Sequence, residues 1–437
     1  MSDLPPQRGE SVFSDFKKAY SDTQAQVEAN RCLYCYDAPC ITACPTSIDI
    51  PKFIRRIAND NTKGAAKAIF DSNIMGMSCA RVCPVEVLCV GSCVYNNTDV
   101  PPIQIGKLQR YATDKAFSEN WSWYTAGPDT GKKVALIGGG PASLAAAHRL
   151  RRYGHSVTIF ERDAYLGGLN TTGVAPYKMK ADRALTEVDW IMQIGGIEVR
   201  TGVEIPKDVS WEELQNQYDA IFLGFGLGRD KYMELPNAHA TGIYGAVDYI
   251  AQFKTGSVDI SHVQNAVVVG GGNTAIDAVR ELVGLGIPSV TMVYRGESSK
   301  MSGYAHEWIE AKKEGVFGSW HTQPVAFLAK DGAVCGIECV RMDAHKQPIS
   351  DSEFTIEADL VLFAIGQDKQ HDLVQSLAGI EIASGKVVVD EHRATGCAGV
   401  FAGGDCINGG KEVVNAVDDG QKAAESIHQF LVGENHG

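Results

Sequence analysis

No stretch of the 437 residues approaches the ~20 consecutive apolar positions of a membrane helix, so no membrane-spanning segment is expected. The opening "MSDLPPQRGE" lacks the basic-then-apolar order of a secretory signal, which predicts a cytoplasmic protein whose thiols stay reduced. Positive charge is also short: 40 Lys and Arg stand against 53 Asp and Glu, net −13. With no basic stripe, nucleic acid is not an expected partner. Cysteine is scarce over most of the length. Only Cys335, Cys339, Cys397 and Cys406 follow residue 93, and each reads as a packing thiol. Cys335 and Cys339, four apart in the strand-like "AVCGIECVR", are expected on one buried face.

The other eight cysteines lie between Cys32 and Cys93. In a reducing compartment that crowding points to metal rather than disulfides. "RCLYCYDAPCITACP" places Cys32, Cys35, Cys40 and Cys44 ahead of a proline; "CARVCPVEVLCVGSC" places Cys79, Cys83, Cys89 and Cys93. Zinc sites present two short knuckles. Here three cysteines crowd one loop and a fourth follows with proline behind it, as in ferredoxin runs whose last cysteine serves the other cluster of a pair. Two [4Fe–4S] clusters are the favoured reading, with zinc or plain buried thiols the alternative. Between the sets, Ile50, Phe53, Ile54 and Ile57, then Ala65, Ala68 and Ile69, keep helical spacing, and Pro51 suits a first turn. Residues 1–122 are therefore read as a small helical domain whose cohesion comes from its clusters.

From residue 133 the texture becomes strand, glycine turn, helix, strand. "KVALIGGGPASLAAAHRLRRYGHSVTIFER" fills G-x-G-x-x-small with Gly138, Gly140 and Ser143, and Glu161 ends the second strand. Gly138 permits the tight turn, Gly140 the approach of a pyrophosphate, and Ser143 close helix–strand packing; Glu161 would take ribose hydroxyls. The pattern recurs in "NAVVVGGGNTAIDAVRELVGLGIPSVTMVYRG", with Gly270, Gly272 and Ala275 and with Arg295 where the acid would stand. An arginine there can accommodate a 2′-phosphate, yet Gly296 and Glu297 follow it, so NAD and NADP both stay open with a tilt toward NADH. Two such units imply FAD plus a nicotinamide nucleotide. Near the end, "GVFAGGDCINGG" sets Gly404 and Asp405 between an apolar strand and a helix, where the acid can hold hydroxyls of an extended FAD. His148 and the aromatics of "ENWSWYTAG" are read as packing.

Across essentially the whole chain these stretches, with "PIQIGKLQRYATD", "GGGPAS" and "GGL" at 167–169, resemble the N-terminal, electron-input half of dihydropyrimidine dehydrogenase. That half is similar to a separate bacterial subunit and to the glutamate synthase small subunit. The resemblance implies an α/β fold with an N-terminal α-helical two-[4Fe–4S] domain (1–122), a linker (123–131), and two glutathione-reductase-like domains. The NAD(P) domain (236–356) would be inserted in the FAD domain (132–235 and 357–437). It also implies Cys32, Cys35, Cys40 and Cys93 on one cluster and Cys44, Cys83, Cys89 and Gln109 on the other, leaving Cys79 spare. The nucleotide contacts it implies extend to Pro141, Ala142, Gly168, Leu169, Asn273 and Thr274. The expected activity is electron transfer from NADH or NADPH through FAD and the clusters to an FMN-containing dihydropyrimidine dehydrogenase subunit. The fused enzymes continue into an FMN barrel and a terminal ferredoxin module; this chain stops at Gly437, so no pyrimidine site is expected on it. No catalytic acid–base residue is required of it. Rival readings are a glutamate synthase small subunit, a stand-alone NAD(P)H:acceptor reductase, and a redox-sensing protein with vestigial nucleotide folds.

Overall fold

The computed structural model describes residues 4–433; the outermost residues of the expected domains, 1–3 and 434–437, lie outside them. The N-terminal helices start where side chains supply missing acceptors. Ser21 and Gln24 form a reciprocal capping box at Asp22–Asn30. Asp49 caps Ile50–Ala58, with Pro51 in its first turn, and Asn61 caps Thr62–Ser72. The expected apolar stripe is the buried face: Ile50, Phe53, Ile54 and Ile57 are each at most 2% exposed. Gly76–Val82 and Ile105–Ser118 complete the domain.

Two five-stranded parallel sheets follow. The first has the spatial order Val400–Ala402, Ala220–Leu223, Lys133–Ile137, Ser156–Glu161, Ile197–Thr201. The second runs Ile243–Gly245, Leu360–Phe363, Asn265–Val269, Ser289–Val293, Phe317–Ser319. Near-continuous burial of strands such as Ala220–Leu223 and Leu360–Phe363 is what a parallel sheet covered on both faces demands. The chain crosses between sheets twice, and the crossings touch where Asp230 bridges Gln367. Among the described residues no helix is long and apolar enough to cross a membrane.

Two expectations need correction. Leu360–Phe363, expected in the FAD segment returning at 357, pairs in register with Ala266–Val269 and belongs to the second sheet. Its all-apolar sequence suits a central strand of either sheet, so the return falls later. Cys335 is exposed while Cys339 is buried, because register shifts after Val334 and after Glu338 break the two-residue alternation. The helical domain packs directly on its neighbour. One continuous core runs from Ala25 and Phe53 through Leu144 and Ile427. Phe70 meets Trp190 of the flavin domain at 4.5 Å between ring centroids, and Trp123 and Tyr124 close over the same seam. Tyr124 also stands edge-on to buried His148, 4.9 Å between centroids, so these residues pack as expected.

Residues 9–17 act as a strap. Gly9 N–H donates to Gly256 O (2.8 Å), and Phe13 buries beside Phe253 of the second nucleotide domain. Glu10 accepts from Ala181 N (2.8 Å), and Phe16 N–H reaches Tyr177 O (3.2 Å), both in the first nucleotide domain. Lys17 then donates to Cys83 O (3.3 Å), and Asp15 pairs with Arg110 (2.7 Å), both in the helical domain.

Candidate functional site

Both glycine turns leave the carboxyl ends of their first strands, the side on which α/β sheets bind ligands. Gly138 has φ +92°, and a Cβ there would stand 2.6 Å from Gly224 O, so only glycine makes this turn without displacing the neighbouring strand end. Gly140, by contrast, has open space where its Cβ would be. It caps Pro141–Tyr153, and Gly168, at φ +52°, comes up against its backbone. Two loops thus meet with no side chain between them, a cradle suited to a pyrophosphate at a helix N-terminus. Ser143 is fully buried under that helix. The Glu161 carboxylate accepts from Gly139 N (2.7 Å) and Asp163 N (2.8 Å), and burial pushes its carboxyl up. Gly404 N–H donates to Asp419, and Asp405 accepts from Lys411 N (3.0 Å).

A cavity of about 490 Å³ joins these pieces. Residues 138–142, Glu161, Leu169 and Asp405 line it. So do Asn273 and Thr274 of the second fingerprint, which brings both nucleotide turns to one space. There Gly270 packs against Ala364 O, Gly272 caps Asn273–Gly284, and Ala275 is fully buried. Asn273 Oδ1 accepts from Tyr304 N (2.9 Å). Arg295 stands exposed just past Ser289–Val293, and Lys300 lies 3.8 Å from Glu297.

Sequence reasoning missed a polar network on the cavity wall. Lys178 pairs with Asp277 (2.7 Å) and Glu307 (2.8 Å), and Tyr304 donates its hydroxyl to Glu412 (2.7 Å). Each pairing joins the two nucleotide domains. Asp277 had one available signal, its place on the second fingerprint helix; Lys178, in "PYKMK", had none.

Val82 and Pro84, on either side of Cys83, form part of the same wall. The cysteines themselves divide across the two sequence sets. Cys32, Cys35, Cys40 and Cys93 ring a small apolar cavity of about 30 Å³. Burial, then neighbouring Cys32 and Cys93, pushes the Cys40 thiol to about 12. Cys89 is pushed up by burial and by Cys83 and Cys44 beside it. Cys83 is raised by its bond with Cys79 and by burial. Thiols this crowded ionise only against cations, which is the condition a metal cluster satisfies. No three His, Cys, Asp or Glu among the described residues converge as a single metal ion would need. Four thiols ringing one cavity fit the ligand set of a multi-atom cluster. Gln109, 7% exposed, donates its Nε2 to Gly76 O (2.8 Å), which leaves the amide oxygen to offer. Cys79 accepts from Asn73 Nδ2 (3.2 Å). Cys406 is buried away from the cavity, its thiol on Leu223 O and Gly403 O.

Comparison with known proteins places the chain in a family. Residues 9–121 match the family "dihydropyrimidine dehydrogenase domain II, 4Fe-4S cluster", and residues 132–420 match "pyridine nucleotide-disulphide oxidoreductase". The chain is 34% identical to the NAD-dependent dihydropyrimidine dehydrogenase subunit PreT of Escherichia coli O157:H7, covering 97% of this chain and 98% of that one. It is 32% identical to the glutamate synthase [NADPH] small chain of Escherichia coli K12, covering 96% and 94%. Among solved structures, FprA of Mycobacterium tuberculosis superposes with a TM-score of 0.57 at 19% identity, over 70% of this chain and 85% of that one. T. acidophilum thioredoxin reductase gives 0.54 at 21%, over 68% and 98%. With its fused two-sheet fold and cysteine-rich helical domain, the chain belongs to the pyridine nucleotide–disulphide oxidoreductase family, as an NAD(P)H-dependent flavoprotein oxidoreductase carrying a 4Fe-4S domain of the dihydropyrimidine dehydrogenase type.

Proposed function

We propose that this chain is the electron-input subunit of a dihydropyrimidine dehydrogenase, taking hydride from NAD(P)H and delivering single electrons to an FMN-containing partner that reduces uracil or thymine. The observation that carries this reading is the shared wall: residues flanking Cys83 line the cavity into which both nucleotide turns open. Bound FAD and two [4Fe–4S] clusters would supply the conversion of a two-electron donor into one-electron steps.

The protein's own residues bind, align and exclude water. Gly138, Gly140, Pro141, Ala142, Ser143, Gly168 and Leu169 shape the flavin cradle, with Glu161, Gly404 and Asp405 fixing its polar contacts. Gly270, Gly272, Asn273, Thr274 and Ala275 would seat the nicotinamide nucleotide. Cys32, Cys35, Cys40 and Cys93 would hold one cluster; Cys44, Cys83, Cys89 and the oxygen of Gln109 the other. Cys79, which accepts from Asn73 Nδ2, would remain a buried thiol. The exposure of Arg295 and the pairing of Lys300 with Glu297 favour NADH, since neither builds an enclosed 2′-phosphate pocket.

Glutamate synthase is the second reading, because its small chain is nearly as similar. Reconstitution separates the two. NADH-dependent dye reduction is expected from the chain alone, and uracil reduction only after the FMN subunit is added. Uracil turnover by the lone chain, or glutamate formation with a glutamate synthase large subunit, would overturn the proposal.

A further inference from the structure

A buried hydrogen-bond chain joins the helical domain to the flavin cavity. Glu187, on Ala181–Met192 of the flavin domain, is fully buried and faces the first turn of Gly76–Val82. Its Oε1 accepts from Met77 N (2.8 Å), and its Oε2 accepts from Ser78 N (3.1 Å) and from the Ser78 hydroxyl. A hydroxyl has one proton. With that proton given to Glu187, Ser78 Oγ can only accept from its remaining neighbour, Asn170, whose Nδ2 donates to it at 2.9 Å. With Glu187 ionised, which needs a pH above the value of about 7 to which burial pushes it, the carboxylate sets the direction of every bond. Asn170 lines the cavity, and its Oδ1 is buried without a partner. An orphaned amide oxygen inside a protein is costly and calls for a donor.

We propose that Asn170 is a flavin-contacting residue, its amide oxygen accepting from an N–H or O–H group of the flavin, and that Glu187 and Ser78 act as positioning residues that hold it in this orientation from across the domain boundary. The proposal rests on FAD occupying this cavity. It makes the helical domain part of the flavin site: Ser78 serves flavin binding without touching flavin.

The chain's polarity supplies a test that a purely structural role would not pass. In Glu187→Gln the oxygen stays on Met77 N and an NH2 replaces Oε2. That NH2 donates to Ser78, the hydroxyl then donates to Asn170, and the amide turns over to present nitrogen instead of oxygen. In Glu187→Gln/Asn170→Asp the reversed chain ends on a carboxylate, whose second oxygen again faces the ligand. Release of FAD from holoprotein, followed by the fluorescence of freed flavin, is expected to quicken about five- to tenfold in Asn170→Ala and Glu187→Gln. Iron and sulfide content should hold, and the double variant should return toward wild type. Unchanged release in Asn170→Ala, loss of iron in step with flavin, or no recovery in the double variant would overturn the proposal. A wild-type protein that binds no flavin would instead overturn the assignment of the cavity itself.

Discussion

Lys178 Nζ and Asp277 Oδ1 lie 2.7 Å apart across the boundary between the two nucleotide domains. Burial works against the ammonium, but Asp277 and Glu307 outweigh it and hold the group above its ordinary range. Lys178 therefore stays charged on the wall of the cavity where both cofactor turns open.

Removing that charge strands two carboxylates in a site where all three side chains are at most 15% exposed. Lys178→Met is expected to lower stability toward urea by about 3 kcal/mol. Because the pair sets how the domains face each other, flavin reduction by NADH in stopped flow should slow on the order of 100-fold. Lys178→Arg should recover most of the stability. Unaltered denaturation of the methionine variant would refute the pairing.

The two fingerprint glycines should fail in different ways. Gly138→Ala forces a side chain into a left-handed turn against Gly224 O, and should destabilise the protein by about 1–3 kcal/mol whether or not flavin is present. The Cβ of Gly140→Ala meets no protein atom within 4 Å, so the flavin-free protein should unfold within about 0.5 kcal/mol of wild type. Flavin absorbance should nevertheless be lost, because the added methyl occupies the cradle.

Cluster ligation is open to a crossed comparison. Cys93→Ser should remove about half of the iron while leaving flavin bound, since Cys93 shares its cavity with Cys32, Cys35 and Cys40 alone among the cysteines. Gln109→Ala should alter the spectrum and potential of the second cluster, and Cys79→Ser should retain both. Iron and sulfide analysis with anaerobic spectra decides this. Retention in the glutamine variant together with loss in the serine variant would move the ligand to Cys79.

His155 gives the protein an acid limit. Its ring is fully buried, with Nδ1 2.8 Å from Thr130 Oγ1 and Nε2 2.9 Å from His428 Nδ1. Burial, then His428 and Arg151, brings it down to about 4 from the usual 6.5. The unfolded chain therefore takes up the proton first. The stability at stake is present above about 6.5 and drains away as pH falls toward 4. Melting temperatures of wild type and His155→Asn should converge across that window. A constant gap between them would count against the assignment.

Much of the fold was legible because each part carried its own periodicity. The stripe of Ile50, Phe53, Ile54 and Ile57 and the two strand–glycine–helix units led directly to buried helix faces and parallel sheets. The cavity-lining members of both fingerprints were equally readable, since backbone turns need particular residue types. What escaped was long-range. Leu360–Phe363 fits either sheet by composition, and its partner is set by register alone. Lys178, Glu307 and Glu412 become site residues only when separate elements converge, and a single charged residue carries no local pattern. Cys335 was misplaced because a bulge costs one residue and leaves no compositional mark.

The strap has a consequence for how the molecule is made. Its anchors at Phe253 and Gly256 are translated long after Phe13 has left the ribosome, so Gly9 and Phe13 have no partner until the second sheet is under way, whereas Asp15 and Lys17 find theirs in the helical domain well before. Assembly thus closes like a drawstring: Asp15 and Lys17 can dock first and Gly9 and Phe13 last, so weakening that final contact would loosen one of several ties on the nicotinamide domain.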